Sequence, residues 1–453
     1  MTELFRIGLQ NKLKFNEIYQ RETLFRSALA LYTKSLFFRK KATTASWDGG
    51  TLYDFASHGT KELDLLHKKL VNRKFTFSPA KPLKIVRSGK ERIVYIWPWD
   101  ERVVDLMLYQ QINQRIDQHF SRSVYAFRWH GYGIDLCQNR VAAFIVKNRN
   151  KPIYVVKRDV ANCFPSLPHE LVKRVTAAVV EPGDYLEQLL QEHIEFSYWQ
   201  NDGELVTAEA GVPFGAPTAC LLANLALTPF DDALANLPMS CYTRYADDML
   251  FLTTDRDTAQ KAVEIFGAVF AELGLGSKAS AEINGILTKE PPAEPDDSFT
   301  ILPGLKHLGI YFQADGTVSL SLDKQRKIYR LFRASFTRYR NRLKKIKDIK
   351  KRASLLCSAA RNMLEKSQSN VAIIDYYLKH ITDTKQIQLL DRWLAEEVLS
   401  IALNTGHKKG NFAKISFEEL REMGLPSLSH RRSLLLHGHI DNSFLRWKNA
   451  LRR

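Results

Sequence analysis

Midway along the chain an apolar run is interrupted by two adjacent acids, in Cys241-Tyr-Thr-Arg-Tyr-Ala-Asp-Asp-Met-Leu-Phe-Leu-Thr-Thr254. β-Branched and aromatic residues on both sides of a short polar break predict strand, tight turn, strand. Asp247 and Asp248 then sit at a hairpin tip, where like charges repel unless a cation holds them. Hard cations such as Mg²⁺ take such oxygen ligands and keep positions open for substrate phosphates. Four residues alone read equally well as a solvated Asp-Asp turn. A second acidic strand tips the balance. Pro152–Val160 is β-branched, ends in Arg158-Asp159, and runs into Ala161-Asn-Cys-Phe-Pro165. An Asp at one strand end and an Asp pair on a later hairpin converge across neighbouring strands. Three carboxylates suffice to hold two metal ions for an in-line phosphoryl transfer.

Between these strands lies Gly211-Val-Pro-Phe-Gly-Ala-Pro-Thr-Ala-Cys-Leu-Leu-Ala-Asn224, a Gly/Pro loop opening an apolar helix. Such a loop lets backbone approach a base or phosphate closely. The formal charge of +17 and pI near 9.5 point to a polyanionic partner, most simply nucleic acid. At 453 residues, two or three lobes are expected. No run of about 18 apolar residues occurs, so no membrane span or membrane partner is expected. The N-terminus lacks a signal-peptide pattern, and five scattered cysteines without a CxxC pair exclude a disulfide framework and a zinc knuckle. These features describe a reduced, cytoplasmic protein. Nothing in the sequence marks an oligomeric state.

Helical periodicity is visible at Thr23–Lys40 and Lys61–Phe75. Lys81–Trp97 reads as a hairpin around Ser88-Gly89, loaded with Lys84, Arg87, Lys90 and Arg92. A helix from Trp97 to about Phe120 precedes Ser121-Arg-Ser-Val-Tyr-Ala-Phe-Arg-Trp-His-Gly131. Asp257–Leu273 and Gln386–Leu403 are further amphipathic helices. Residues 324–352 hold fourteen Lys/Arg and one acid, Asp348, interleaved with Leu331, Phe332, Phe336, Tyr339 and Leu343 at near-helical spacing. That density predicts a helix tracking a nucleic-acid backbone.

The order of acidic strand, Gly-x-Pro-x-Gly loop-helix and Tyr-x-Asp-Asp hairpin resembles the palm of the reverse transcriptases, over about Phe77–Phe312. The resemblance implies an α+β right-hand polymerase with fingers, a palm built on an antiparallel sheet and a helical thumb, plus helical N- and C-terminal regions. The expected division is 1–75 N-terminal helical region, 76–150 fingers, 151–315 palm with a fingers insertion at about 165–210, and 316–453 basic helical thumb and C-terminal region. It implies RNA-directed DNA synthesis from deoxynucleoside triphosphates with two Mg²⁺ ions, for which Mn²⁺ can substitute. Asp159 and Asp247 are the expected metal ligands, with the Val160 carbonyl and Asp248 in support. Arg92, with Lys84 or Arg87, is assigned to the triphosphate, and Gly215 and Ala216 to the backbone against the nucleotide. Tyr245, Leu308 and Gly309 are assigned to the primer end, and Arg128, Lys344 and Lys345 to the template-primer backbone. Phe164, five residues after Asp159, matches the family's steric gate: a phenyl ring offers no partner to a 2′-hydroxyl, so ribonucleotides are excluded.

Three positions depart from the family. Ala126 stands for Gly, Phe214 for Gln, and Leu287 for a Lys, leaving Lys278 or Lys289 as its substitute or its function absent. With no nuclease or maturase pattern after the thumb, the chain is most similar to the defence-associated, abortive-infection group of bacterial reverse transcriptases. That likeness implies antiphage defence, a dedicated noncoding RNA as template and nascent DNA as product. Alternative readings are untemplated or protein-primed DNA synthesis, an RNA-dependent RNA polymerase, and a non-catalytic nucleic-acid-binding scaffold.

Overall fold

The computed structural model describes residues 11–36, 46, 49–87, 89–129, 131–200, 202–290, 296–366 and 368–440. The chain divides into two units. Met1–Phe144, Lys151–Ile286 and Pro292–Ile301 form the first; Ile145–Asn150, Leu287–Pro291 and Leu302–Arg453 form the second.

In the first unit the strands are β1 (Lys81–Arg87), β2 (Lys90–Ile96), β3 (Ile153–Asp159), β4 (Ser197–Trp199), β5 (Leu205–Thr207), β6 (Ser240–Tyr245), β7 (Asp248–Thr253), β8 (Ile283–Leu287) and β9 (Thr300–Leu302). The main sheet has the order β6-β7-β3-β8-β9. Its central strands are buried on both faces, Val155 and Val156 on β3 and Met249 to Leu252 on β7, which is why they read as unbroken apolar runs. β3 and β7 pair antiparallel with Asp159 opposite Asp248. The helix Arg256–Leu273 lays Ala259, Ala262, Phe266, Val269 and Phe270 into the same core. Asp255 caps it, accepting from the Thr258 amide at 2.8 Å, a contact worth about 1 kcal/mol, and Gly274 ends it at φ +64°.

The expected N-terminal helices form as Arg21–Leu36 and Leu52–Val71, the second opened by a Thr51/Asp54 capping box. The part of the Thr23–Lys40 expectation beyond residue 36 lies outside the described residues. The helix Trp99–Ile116 is buried along its length and carries Asp105 at 2% exposure. Asp105 supplies what the helix Pro217–Ala226 lacks. No side chain caps that helix locally, and Asp105 Oδ1 accepts its Thr218 amide at 3.1 Å while lying 3.0 Å from His193 Nε2. Three helices are thereby pinned behind the 211–216 loop.

In the second unit, β10 (Leu305–His307), β11 (Ile310–Phe312) and β12 (Val318–Leu320) form an antiparallel sheet. A separate core joins Phe332, Phe336, Leu356, Ile374 and Leu394. Ile145–Asn150 belongs to this unit: a Cβ on Gly316 would meet Val146 Cγ2 at 2.7 Å. The basic stretch 324–352 departs from the single helix expected. It spans Leu322–Thr337, Arg340–Lys344 and the start of Ile349–Lys366. Its one acid explains the last break, because Asp348 Oδ1 accepts the amides of Lys350 and Lys351 at 2.8 and 3.1 Å and caps the new helix. Among the described residues no helix is long and apolar enough to cross a membrane.

Candidate active site

β6 and β7 are joined by Ala246 and Asp247, with Tyr245 paired to Asp248. The hairpin expected from the sequence is therefore present, but its two acids differ in setting. Asp247 occupies the turn, whereas Asp248 is the first residue of β7. Ala246 lies at φ +58°, a left-handed conformation that costs a Cβ-bearing residue about 1 kcal/mol.

Lys157 and Asp159 share one face of β3, since side chains alternate along a strand. Lys157 Nζ reaches across to Asp248 Oδ2 at 3.2 Å. Asp248 is thus paired with a cation from within the sheet, while the Asp159 charge acts on Asp247. Burial pushes the Asp247 carboxyl up to about 6, with the Asp159 charge adding to it. Asp159 is raised too, by burial first, with Lys278 opposing and Asp248 adding. Two half-sequestered carboxylates, both raised first by burial and Asp247 further by the Asp159 charge, fit a divalent cation, which would favour their ionised forms. Among the described residues no group of three or more His, Cys, Asp or Glu side chains could hold a metal unaided. Val160 is buried and bridges antiparallel to Ser277.

Lys278 is the cation at this edge of the sheet. Its amide donates to the Asp159 carbonyl at 2.8 Å, and its ammonium lies 4.0 Å from Asp159 Oδ2. Of the two lysines weighed as substitutes for the missing one at Leu287, Lys278 is the one beside a carboxylate of the pair. Leu287 itself is buried.

The β1–β2 hairpin presents two faces. Cross-strand partners share a face, so Ile85 lies with Arg92, whereas Lys84 lies with Ile93 on the other. Arg92 stands 5.9 Å from the centroid of the Phe214 ring, and Lys90 acts on Asp159 electrostatically. Lys84 instead pairs with Glu91 at 3.2 Å on the opposite face. The expectation that Lys84 clamps a triphosphate is corrected: parity turns it away from the face that carries Arg92. Arg87 keeps its backbone register opposite Lys90.

The loop 211–216 is fused to both neighbours. Val212 N donates to Phe164 O at 2.9 Å, and Tyr95 N of β2 donates to Phe214 O at 2.8 Å. Glycine is required at two places. A Cβ on Gly211 would meet Pro165 O at 2.7 Å, and one on Gly215 would meet Val94 Cγ1 at 2.5 Å. Ala216 is buried at the helix start. Phe164 is half-buried on the short helix Cys163–Ser166, edge-on to Phe214 at 5.0 Å and to Phe127 at 6.4 Å. Phe214, where the family has Gln, is thus a wall shared by Phe164 and Arg92.

Arg128 is not available to a template. Its side chain is 2% exposed and bonds Asp117 at 2.8 Å, the Ser121 carbonyl at 2.9 Å and the Val124 carbonyl at 3.1 Å, with Tyr132 stacked on it at 3.9 Å. The assignment to primer or template is corrected to a structural one, because every direction of the fork is used inside the fold. Leu308 and Gly309, both at positive φ, form the two-residue turn between β10 and β11 in the second unit, where Lys344 and Lys345 are exposed.

One group escaped the sequence reading. Arg244, on β6, is fully buried. It bonds both oxygens of Asp231, Asn224 Oδ1 at 2.7 Å and the Ala246 carbonyl at 3.3 Å. Tyr242 OH donates to the same Asp231 at 3.0 Å. The signal was there: Tyr242 and Arg244 share a strand face, and a cation at an inward strand position demands a buried anion.

A basic hairpin, a glycine loop-helix and an antiparallel sheet carrying an acidic hairpin define a right-hand polymerase fold. Residues 78–280 match the family model for reverse transcriptase (RNA-dependent DNA polymerase). A similar curated protein is the retron Ec83 reverse transcriptase of Escherichia coli, 29% identical over 119 residues, covering 24% of this chain and 36% of that one. The match thus spans about a third of that relative's length. Similar solved structures include apo telomerase from Candida tropicalis truncated from its C-terminal domain, with TM-score 0.41 and 13% identity over 61% of this chain and 63% of that one. Telomerase from Candida albicans, solved with a fragment of telomeric RNA, has TM-score 0.45 and 11% identity over 83% and 70%.

Proposed function

We propose that the chain is an RNA-directed DNA polymerase. The observation that carries this reading is the Asp159–Asp247 pair, two raised carboxylates at adjacent strand ends with Asp248 neutralised beside them. Asp159 and Asp247 are the side chains that would hold Mg²⁺ or Mn²⁺, backbone and substrate oxygens completing the shell. Divalent ions there supply activation of the primer 3′-hydroxyl and neutralisation of the leaving pyrophosphate. The chain's own groups do the rest. Arg92 and Lys90 share the hairpin face that receives the triphosphate, and Lys278 offers a proton and a charge beside Asp159. Phe164 lies under the sugar and rejects the 2′-hydroxyl, and Tyr245 supports the primer end. The exposed cations of 324–352, Lys344 and Lys345 among them, bind the nucleic-acid backbone.

In this reading, which rests on the family resemblance of the sequence, the template is a dedicated noncoding RNA and the setting is antiphage defence in the cytoplasm. Phe214 favours a second mode: with an aromatic wall in place of Gln, untemplated or protein-primed synthesis is open to the same site. The test is incorporation of labelled deoxynucleotides with and without Mg²⁺ on RNA, on DNA and with no template, alongside sequencing of the nucleic acid that co-purifies. Incorporation by an Asp159→Asn, Asp247→Asn variant at the wild-type rate would sink the polymerase reading. Random cellular RNA in the co-purified fraction would remove the dedicated template.

A further inference from the structure

A buried Arg–Asp pair is often no more than packing, and replacing both partners with apolar residues is frequently neutral. Arg244 makes more bonds than burial requires. Nε and one terminal nitrogen satisfy Asp231 on the helix Thr228–Leu234. The other terminal nitrogen is left over, and it reaches two further groups: Asn224 Oδ1 at 2.7 Å and the carbonyl of Ala246 at 3.3 Å. Ala246 is the left-handed residue immediately before Asp247, so this bond acts on the turn that sets where the carboxylate stands. Asn224 lies on the helix that continues the 211–216 loop and donates in turn to the Ala126 carbonyl at 3.2 Å. The backbone of Arg244 is fixed too: its amide donates to Ser123 O, and its carbonyl accepts from Tyr125 N, each at 2.8 Å. Phe164, Asn224, Arg244 and Asp247 line one cavity of about 10 Å³, room for one water at most. Asp247 cannot sink or rise without moving this set.

We propose that Arg244 is a positioning residue that holds the Ala246–Asp247 turn at a fixed height and, through Asn224, locks it to the loop-helix that carries Phe214 and Gly215. The inference rests on the polymerase reading above. The planar fork is essential to it. A lysine can pair with Asp231, but a single ammonium cannot serve Asp231, Asn224 and the Ala246 carbonyl in three fixed directions.

The experiment compares Arg244→Lys, Asn224→Ala and the paired Arg244→Met, Asp231→Leu with wild type, using Mg²⁺-dependent deoxynucleotide incorporation, primer-template binding and thermal melting. The expected result for Arg244→Lys is a kcat lower by on the order of 100-fold, the loss that a displacement of about 1 Å brings. KM for the deoxynucleotide and affinity for primer-template stay at wild-type values, and half-maximal rate needs more Mg²⁺. Asn224→Ala moves the same way by less. The Met/Leu pair recovers melting temperature without recovering rate. A folded Lys variant with wild-type kcat, or an active Met/Leu pair, reduces Arg244 to packing and overturns the proposal. Should the Lys variant fail to fold, full kcat in Asn224→Ala overturns it alone. Wild type that incorporates nothing on any template fails the polymerase reading itself and takes this inference with it.

Discussion

Asp247 is a carboxylate kept where its charge is disfavoured. Its carboxyl is raised from 3.8 to about 6, so between those values the folded chain holds a proton that the unfolded chain has lost. A raised pKa stabilises the fold below the unfolded value, and that stability is lost as pH climbs through the folded value. The metal-free protein is therefore expected to lose on the order of 2–3 kcal/mol between about pH 4 and pH 7 from this group. In chelator at pH 8, Asp247→Asn should melt higher than wild type, with the gap narrowing through pH 5 and closing below about pH 4. An equal gap at pH 8 and pH 4 would show that the Asp247 charge is not disfavoured in the fold. The same variant should abolish incorporation. Phe164 makes the second residue-scale prediction. An unpaired, desolvated 2′-hydroxyl costs roughly 1–3 kcal/mol, so Phe164→Ala should raise ribonucleotide use relative to deoxynucleotide use by about tenfold or more. Single-nucleotide extension assays read this ratio directly, and an unchanged ratio returns Phe164 to the core and revives the RNA-polymerase reading.

Among elements, the 117–132 segment shows how a side chain's role follows from its surroundings. Arg128 knits its own loop to Asp117, and losing it leaves that acid with the Trp129 amide but without its counter-charge. Arg128→Ala should cost about 3 kcal/mol in chemical denaturation, within the range for breaking a buried pair, and leave RNA affinity per folded molecule unchanged. A selective loss of RNA binding at full stability would reverse this. The same elements mark what a sequence exposes. β3 and the β6–β7 hairpin were legible because strands covered on both faces are written as largely apolar runs, and acids at their ends stand out. The outward turn of Lys84 was also within reach, since the Ser88-Gly89 turn sets the register and parity does the rest. Lys278 was not. It meets Asp159 because Gly276 and Ser277 pair with Ala161 and Val160, a contact between segments more than a hundred residues apart. The break in the basic stretch turned on Asp348, whose capping role shows only once the helix start is known.

For the molecule as a whole, the charge of +17 finds an outlet in the second unit. Arg338, Arg342, Lys344 and Lys347 are exposed there. Reversing these four to Glu should weaken RNA binding and flatten the log-log salt dependence by about 0.7–0.9 for each phosphate contact removed. Titrations at several salt concentrations measure it, and an unaltered slope would show that the stretch is only a solvated surface. The second unit is not continuous in sequence: Ile145–Asn150 and Leu287–Pro291 belong to it, while the bulk begins at Leu302. A chain leaving the ribosome at about 5–20 residues per second therefore exposes Val146 roughly ten seconds or more before its partner Gly316 exists. Through that interval Ile145–Asn150 waits for the rest of its unit, and slowing translation over residues 151–301 lengthens the wait.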